Sequence, residues 1–192
     1  MLIDTSYFVA GELSVPNIGK DFVDERLQYF IDTMVPQLLV DLFGYALAKP
    51  LMAELQAQED ASGSPSSLST RFDKLVNGTE YIGQDGHLRK WKGLVFVEGT
   101  PRSLAAHHVF WYWLRDQQTQ VSALGVKVSK AENAVVASSL PTLATISYQR
   151  ARMINELYYF MLCSYQTDYP EWTSTARLSM LAFFKPGNQF GI

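Results

Sequence analysis

Two adjacent histidines, His107 and His108, stand in the stretch AAHHVFWYWLRDQQTQ, residues 105–120. Imidazoles bind metals and move protons near neutral pH, so this pair is the first place to look for chemistry. On a helix, His107 shares a face with Trp111 and Leu114, and His108 with Tyr112 and Arg115. Adjacent residues point about 100° apart, so the two rings cannot easily chelate one metal. A helical zinc site wants ligands three or four residues apart, with a carboxylate or further histidine nearby. The third histidine of the chain, His87, belongs to a different segment. A helix that is apolar on most sides, LAAHHVFWYWL, is expected to be covered all round. The pair is therefore expected to be packing, with no metal, no cofactor and no catalytic residue.

Other chemistry is thin. Asp21, Asp24 and Glu25 open a helix, where carboxylates favour the helix dipole and need no reaction to explain them. The chain has no glycine-rich phosphate loop, no nucleophile elbow and no His-Glu-x-x-His, so it is read as a non-enzyme. Arg71, Lys74, Arg89, Lys90, Lys92 and Arg102 form a basic stretch, opposed by Asp73, Glu80, Asp85 and Glu98. Lys90-Trp91-Lys92 could meet phosphates with a stacking ring, which makes Arg89, Lys90 and Lys92 the DNA-facing candidates. The alternative function is accordingly a helical nucleic-acid-binding module using this hairpin. A net charge of −3 argues against a dedicated binder of that kind.

Composition bounds the rest. Of the 192 residues, 47% are hydrophobic, 18% charged and 13% aromatic, which describes a globular chain with an excess of interface-type side chains. The single Cys163 excludes an internal disulfide framework and is expected to be a buried thiol. The opening stretch MLIDTSYFVAGELSVPNIGKDF is acidic and interrupted, unlike a secretory leader, and no apolar run reaches a membrane span. A protein of a reducing compartment, with no membrane partner, is expected.

The elements that must position these residues follow from periodicity. A mainly α fold is expected: a helical bundle with long kinked helices, one β-hairpin insertion, and extended N- and C-terminal arms in a single domain, 1–192. Residues 1–18 read as an extended arm with a short strand at Leu2–Val9. Helical spacing of Phe22, Leu27, Phe30, Ile31, Met34, Leu38, Leu39, Leu42 and Phe43 makes 19–58 a helix kinked at Pro36, weakened at Gly44 and broken at Pro50. Residues 59–70 form a flexible serine-rich loop, and 71–100 hold a short helix and a hairpin turning at Asp85-Gly86. A helical pair fills 101–170. Thr100-Pro101 caps its first member, and Ser129 to Glu132 form a capping box for a long second one that contains Pro141. The C-terminal arm is 171–192. Its FFKPGNQFGI end is too short for a core of its own, and is expected to dock on a neighbouring subunit.

The order of these pieces resembles a known family. The segments LVNGTEYIGQDGHLRKWKGL and QTQVSALGVKVSKAENAVVAS, each ahead of a long helix, and the terminal NQFGI carry the resemblance, which spans Leu13 to Ile192. Together they resemble head–tail connector proteins (adaptor or neck-ring proteins) of tailed phages and prophages of Bacteroidetes-type hosts. The resemblance implies a virion structural protein, assembled in the bacterial host cytoplasm, that forms a ring homo-oligomer, often a dodecamer. That ring would sit beneath the portal protein, extend the DNA channel in transient contact with passing DNA, and dock the adjacent tail or neck ring. With this role, the candidate assembly interface is Tyr7, Phe8, Trp91, Phe184, Asn188, Phe190 and Ile192. The serine loop and the length of the last helix are not explained by the family.

Overall fold

In a computed structural model, the backbone is described for residues 2–60, 68–95, 103–122, 125–128 and 139–182, and the side chains for residues 2–59, 68–95, 103–117 and 143–182. The described fold is mainly α, as expected, with six α-helices and two antiparallel hairpins.

The first residues do not form an arm or a strand. Asp4 caps a 3₁₀ turn, Thr5–Phe8, by accepting from the Ser6 backbone N–H at 2.9 Å, and a second 3₁₀ turn spans Gly11–Leu13. The Val15 N–H donates to the Phe8 carbonyl at 2.9 Å and closes the segment on itself. Leu2, Ile3, Phe8, Leu13 and Val15 are all buried. Compact 3₁₀ turns let these five apolar side chains, within fourteen residues, reach the chain's own core better than an extended strand would.

Helix α1, Asp21–Phe43, buries Leu27, Ile31, Val35, Leu38, Leu39, Leu42 and Phe43, a stripe at threes and fours. It runs through Pro36, and helix α2, Tyr45–Asp60, contains Pro50. The break expected at Pro50 falls instead at Gly44, the residue expected only to weaken the helix, so the segment 19–58 is two helices joined by one residue. Gly44 has φ 73° and ψ 158°, a region that is essentially glycine-only. Its N–H donates to the Val40 carbonyl while its own carbonyl accepts from Ala48, so one residue ends α1 and starts α2. A Cβ there would lie 3.1 Å from that of Ala176. The Trp172 indole N–H donates to the Leu42 carbonyl at 3.2 Å, satisfying one of the acceptors that a helix C-terminus leaves over.

Helix α3, Thr70–Asn77, is tied to α2 by Ser69, whose N–H and hydroxyl both donate to the Glu54 carboxylate. Strands β1, Thr79–Ile82, and β2, Leu88–Trp91, pair antiparallel with Thr79 opposite Trp91 and Ile82 opposite Leu88. The two-residue turn expected at Asp85-Gly86 is a five-residue connection closed by Gly83 N–H to His87 O at 2.8 Å. Of the two expected turn residues only Gly86, at φ 76°, is left-handed.

Helix α4, Leu104–Gln118, starts at Ser103, whose hydroxyl accepts from the Ala106 N–H and donates to the Leu94 carbonyl at 2.7 Å. The cap is therefore Ser103; Thr100 and Pro101, expected in that role, lie outside the described residues. Strands β3, Thr119–Ser122, and β4, Gly125–Val128, form a second hairpin where only a loop was expected. Helix α5, Ser139–Ser164, spans about 39 Å. Pro141 sits in its first turn, where a missing N–H costs little. The capping box expected at Ser129–Glu132 lies outside the described residues.

The segment read as a C-terminal arm contains helix α6, Ser174–Ala182, packed on α1 through Ala176 and Met180. Helix α1 thus touches α2, α4 and α6, α4 also packs on α5, and the first hairpin rests on α5. Among the described residues no helix is long and apolar enough to cross a membrane.

Gly44→Ala is expected to cost about 1–3 kcal/mol, from backbone strain and the contact with Ala176. Urea denaturation checks this as a lowered midpoint at unchanged slope.

Candidate functional site

The histidines lie deep. His107 and His108 are 1% and 2% exposed, at the start of the helix that Ser103 fixes. The His107 Nδ1 lies 2.9 Å from the Ser103 carbonyl, an acceptor, so this nitrogen carries the proton. The His108 ring packs against Tyr112 at 5.0 Å. Burial, and then the nearby Arg150 cation, depress its pKa to about 3, so it is neutral at pH 7. Arg150 is itself buried, which lowers its pKa in turn. Its guanidinium lies over the Trp111 ring at 4.5 Å, and that of Arg115 at 4.6 Å. Cation–π contact at the α4–α5 seam is what these residues provide. Among the described residues no group of three or more His, Cys, Asp or Glu is placed to hold a metal. His87, on the hairpin connection, is exposed. Cys163, expected to be buried, is only partly so.

Two of the expected interface residues are core. Phe8 is fully buried and stacks on Phe110 at 6.4 Å; Tyr7 beside it is half-buried. Trp91 is 2% exposed, stacks on Phe160 with rings 6.0 Å apart, and donates its indole N–H to the Leu75 carbonyl at 2.9 Å. Close backbone approach holds it there: a Cβ on Gly78 would come within 2.5 Å of the Trp91 carbonyl oxygen. Both rings are spent in the chain's own core, which removes Phe8 and Trp91 from its exposed surface. Phe184, Asn188, Phe190 and Ile192 lie outside the described residues.

The basic set divides. Arg71 pairs with Glu171 at 2.8 Å and Lys74 with Asp168 at 2.9 Å, tying α3 to the chain after α5. The Tyr169 hydroxyl adds a 2.6 Å bond to the Arg71 carbonyl. Arg89, Lys90 and Lys92 are exposed on the hairpin, with Arg89 bridged to Asp85 at 2.6 Å and Lys90 opposite Glu80. Because Trp91 faces inward, Lys90 and Lys92 flank no exposed ring, and the stacking platform of a single-strand binder is missing from this hairpin.

What the sequence reading overlooked is exposed apolar surface. Ile82 and Leu88, register partners at the hairpin tip, are 60% and 66% exposed. Leu88 is out of phase with buried Trp91 in the strand alternation, so its outward direction was legible. Phe22, Tyr29, Tyr45 and Tyr148 are also largely exposed. Two apolar grooves accompany them. One of about 560 Å³ lies among Pro16, Phe22, Val23, Phe110, Trp113 and Leu114, with Glu12 and Arg26 on its edge. One of about 250 Å³ lies between α1 and α2, lined by Leu2, Ile31, Val35, Pro36, Leu39, Met52 and Leu55, with Asp32, Gln56 and Glu59. Apolar surface of this kind marks contact sites more often than chemistry. Compared with known proteins, the chain matches no family model, no curated protein and no solved structure.

Two outcomes follow from this geometry. Trp91→Ala should lower the stability of the isolated subunit by about 3–5 kcal/mol, as for a large aromatic removed from a core, whereas Leu88→Ser should change it by no more than about 0.5 kcal/mol; thermal and chemical denaturation of the two variants compare them. The folded pKa of His108, about 3, lies below the ordinary value of 6.5. The unfolded chain therefore binds the extra proton first, and the stability tied to neutral His108 is complete above the unfolded pKa. It is lost as pH falls from there toward the folded value, at up to about 1.4 kcal/mol per unit. Denaturant midpoints of wild type and His108→Gln at pH 7.5, 6 and 5 should converge as pH falls. Parallel curves would mean that His108 titrates normally.

Proposed function

We propose that this chain is a structural assembly subunit, and specifically a ring-forming connector at the head–tail interface of a tailed phage. The observation that carries the assembly part is the set of large aromatics left outside a closed core: Phe22 at 70%, Tyr29 at 64%, Tyr45 at 65% and Tyr148 at 68% exposure. Tyrosine and phenylalanine are enriched at the centres of protein interfaces, where water is excluded and large rings anchor the contact. The connector part rests on the sequence resemblance. In that role copies of the chain form a ring, with twelve as the expected number, bound to the portal protein on one side and to a tail or neck ring on the other. A net charge of −3 suits a channel wall past which DNA slides without being held. The rival, a nucleic-acid-binding module on the hairpin, loses support from the inward Trp91.

Light-scattering mass and negative-stain imaging of the purified chain, alone and mixed with a tailed-phage portal protein, test this reading. A closed ring, or one that forms on the portal, is expected, together with weak DNA binding. A chain that stays monomeric with the portal present, yet shifts DNA with a steep salt dependence, would sink the connector in favour of the binder.

A further inference from the structure

The hairpin tip and the groove between α1 and α2 fit each other in kind. The tip presents two apolar side chains, Ile82 and Leu88, directly opposite one another and both well exposed. Behind them Arg89, Lys90 and Lys92 outnumber Glu80 and Asp85, so the hairpin carries one net positive charge. The groove has apolar walls, and its charged lining residues, Asp32 and Glu59, are both acidic. Its volume of about 250 Å³ exceeds the roughly 150 Å³ that suffices to hold a benzene ring in an apolar cavity, so aliphatic side chains can enter. The larger groove beside Phe22 is lined by one charged residue of each sign, Glu12 and Arg26, so its lining has no net charge to select a basic knob.

We propose that the tip of the β1–β2 hairpin of one copy seats in the α1–α2 groove of the next copy of this chain. The inference rests on the assembly reading and names its contact. Hairpin and groove share no residue: the hairpin rests on α5, and the groove is built from α1, α2 and Leu2. Every copy therefore offers one of each. Such a contact is head-to-tail, and it repeats from copy to copy until the rotation between neighbours closes a ring. A contact using the same patch on both partners would stop at two.

That asymmetry supplies the test. A hairpin variant, Ile82→Ser with Leu88→Ser, keeps an intact groove. A groove variant, Pro36→Arg with Glu59→Lys, keeps an intact hairpin and changes only exposed positions. Circular dichroism and thermal melts confirm that both are folded. In sedimentation velocity the wild type should associate with increasing concentration, and each variant alone should do so at least tenfold more weakly. The two variants mixed one to one should form a dimer that grows no further, because only one working hairpin and one working groove remain. The proposal is overturned if either variant associates like the wild type, if the mixture stays monomeric, or if the wild type itself never associates. Rings formed by the wild type and both variants alike would remove this contact and leave the connector reading standing. A wild type that neither self-associates nor joins the portal would remove both.

Discussion

Eight consecutive residues, Ser103 to Phe110, are buried, and no helix can bury eight in a row against one neighbour. Two full turns present every direction around the axis, so cover must come from all sides. The N-terminal segment supplies Phe8 against Phe110, α1 and α5 lie alongside, and the Leu94 carbonyl meets the Ser103 hydroxyl at the open end. Much of the remaining architecture is a consequence. An N-terminal segment free to leave would uncover α4, so it folds back in short 3₁₀ turns. Helix α1 is covered in its turn: it stops at Gly44, and α6 packs against it.

The same burial decides what the polar groups inside can do. His108 becomes a neutral aromatic, because charging it would mean placing a second cation beside Arg150 in a poorly solvated seam. Arg150 keeps its place by lying on the face of Trp111, which lets a cation pack against an apolar helix. The ion pairs sit further out, where Arg71–Glu171 and Lys74–Asp168 are each about one-third exposed. Pairs at that depth contribute on the order of 1 kcal/mol or less, so they orient α3 against the chain following α5 and add little stability.

The described core closes around α4, yet several large apolar side chains stay outside it. Scattered exposed leucines are ordinary on any protein. A pair of aliphatic residues facing each other across the end of a two-stranded hairpin gains only about 0.2–1 kcal/mol from their mutual contact and leaves most of its apolar surface in water. Among the described residues, the basic, apolar-tipped hairpin and the groove with acidic lining residues are the complementary pair on which the proposed contact between copies is built.

How far the sequence alone reached depended on the range of the forces involved. Local patterns determined the mainly α class, the helical stripe from Leu27 to Phe43, the antiparallel pairing around Gly86, and the packing role of His107 and His108. Each depends on residues within a few turns of one another. Tertiary contacts decided the rest. Pro50 looked like the break because proline removes a donor, yet the break went to Gly44, which the pattern marks only as a weak point; there α6 crowds the backbone and the positive φ needs glycine. Trp91 looked like an interface or stacking residue because it lies between two lysines. It is core because Gly78 lets the strand approach α3 closely enough for its indole to reach Leu75. Residues 1–18 looked like an arm because their apolar pattern alternates poorly; what buries Phe8 is Phe110, on a helix that begins nearly a hundred residues later. Short-range periodicity is written in the chain, but which apolar surface meets which is settled only when distant segments compete for the same space.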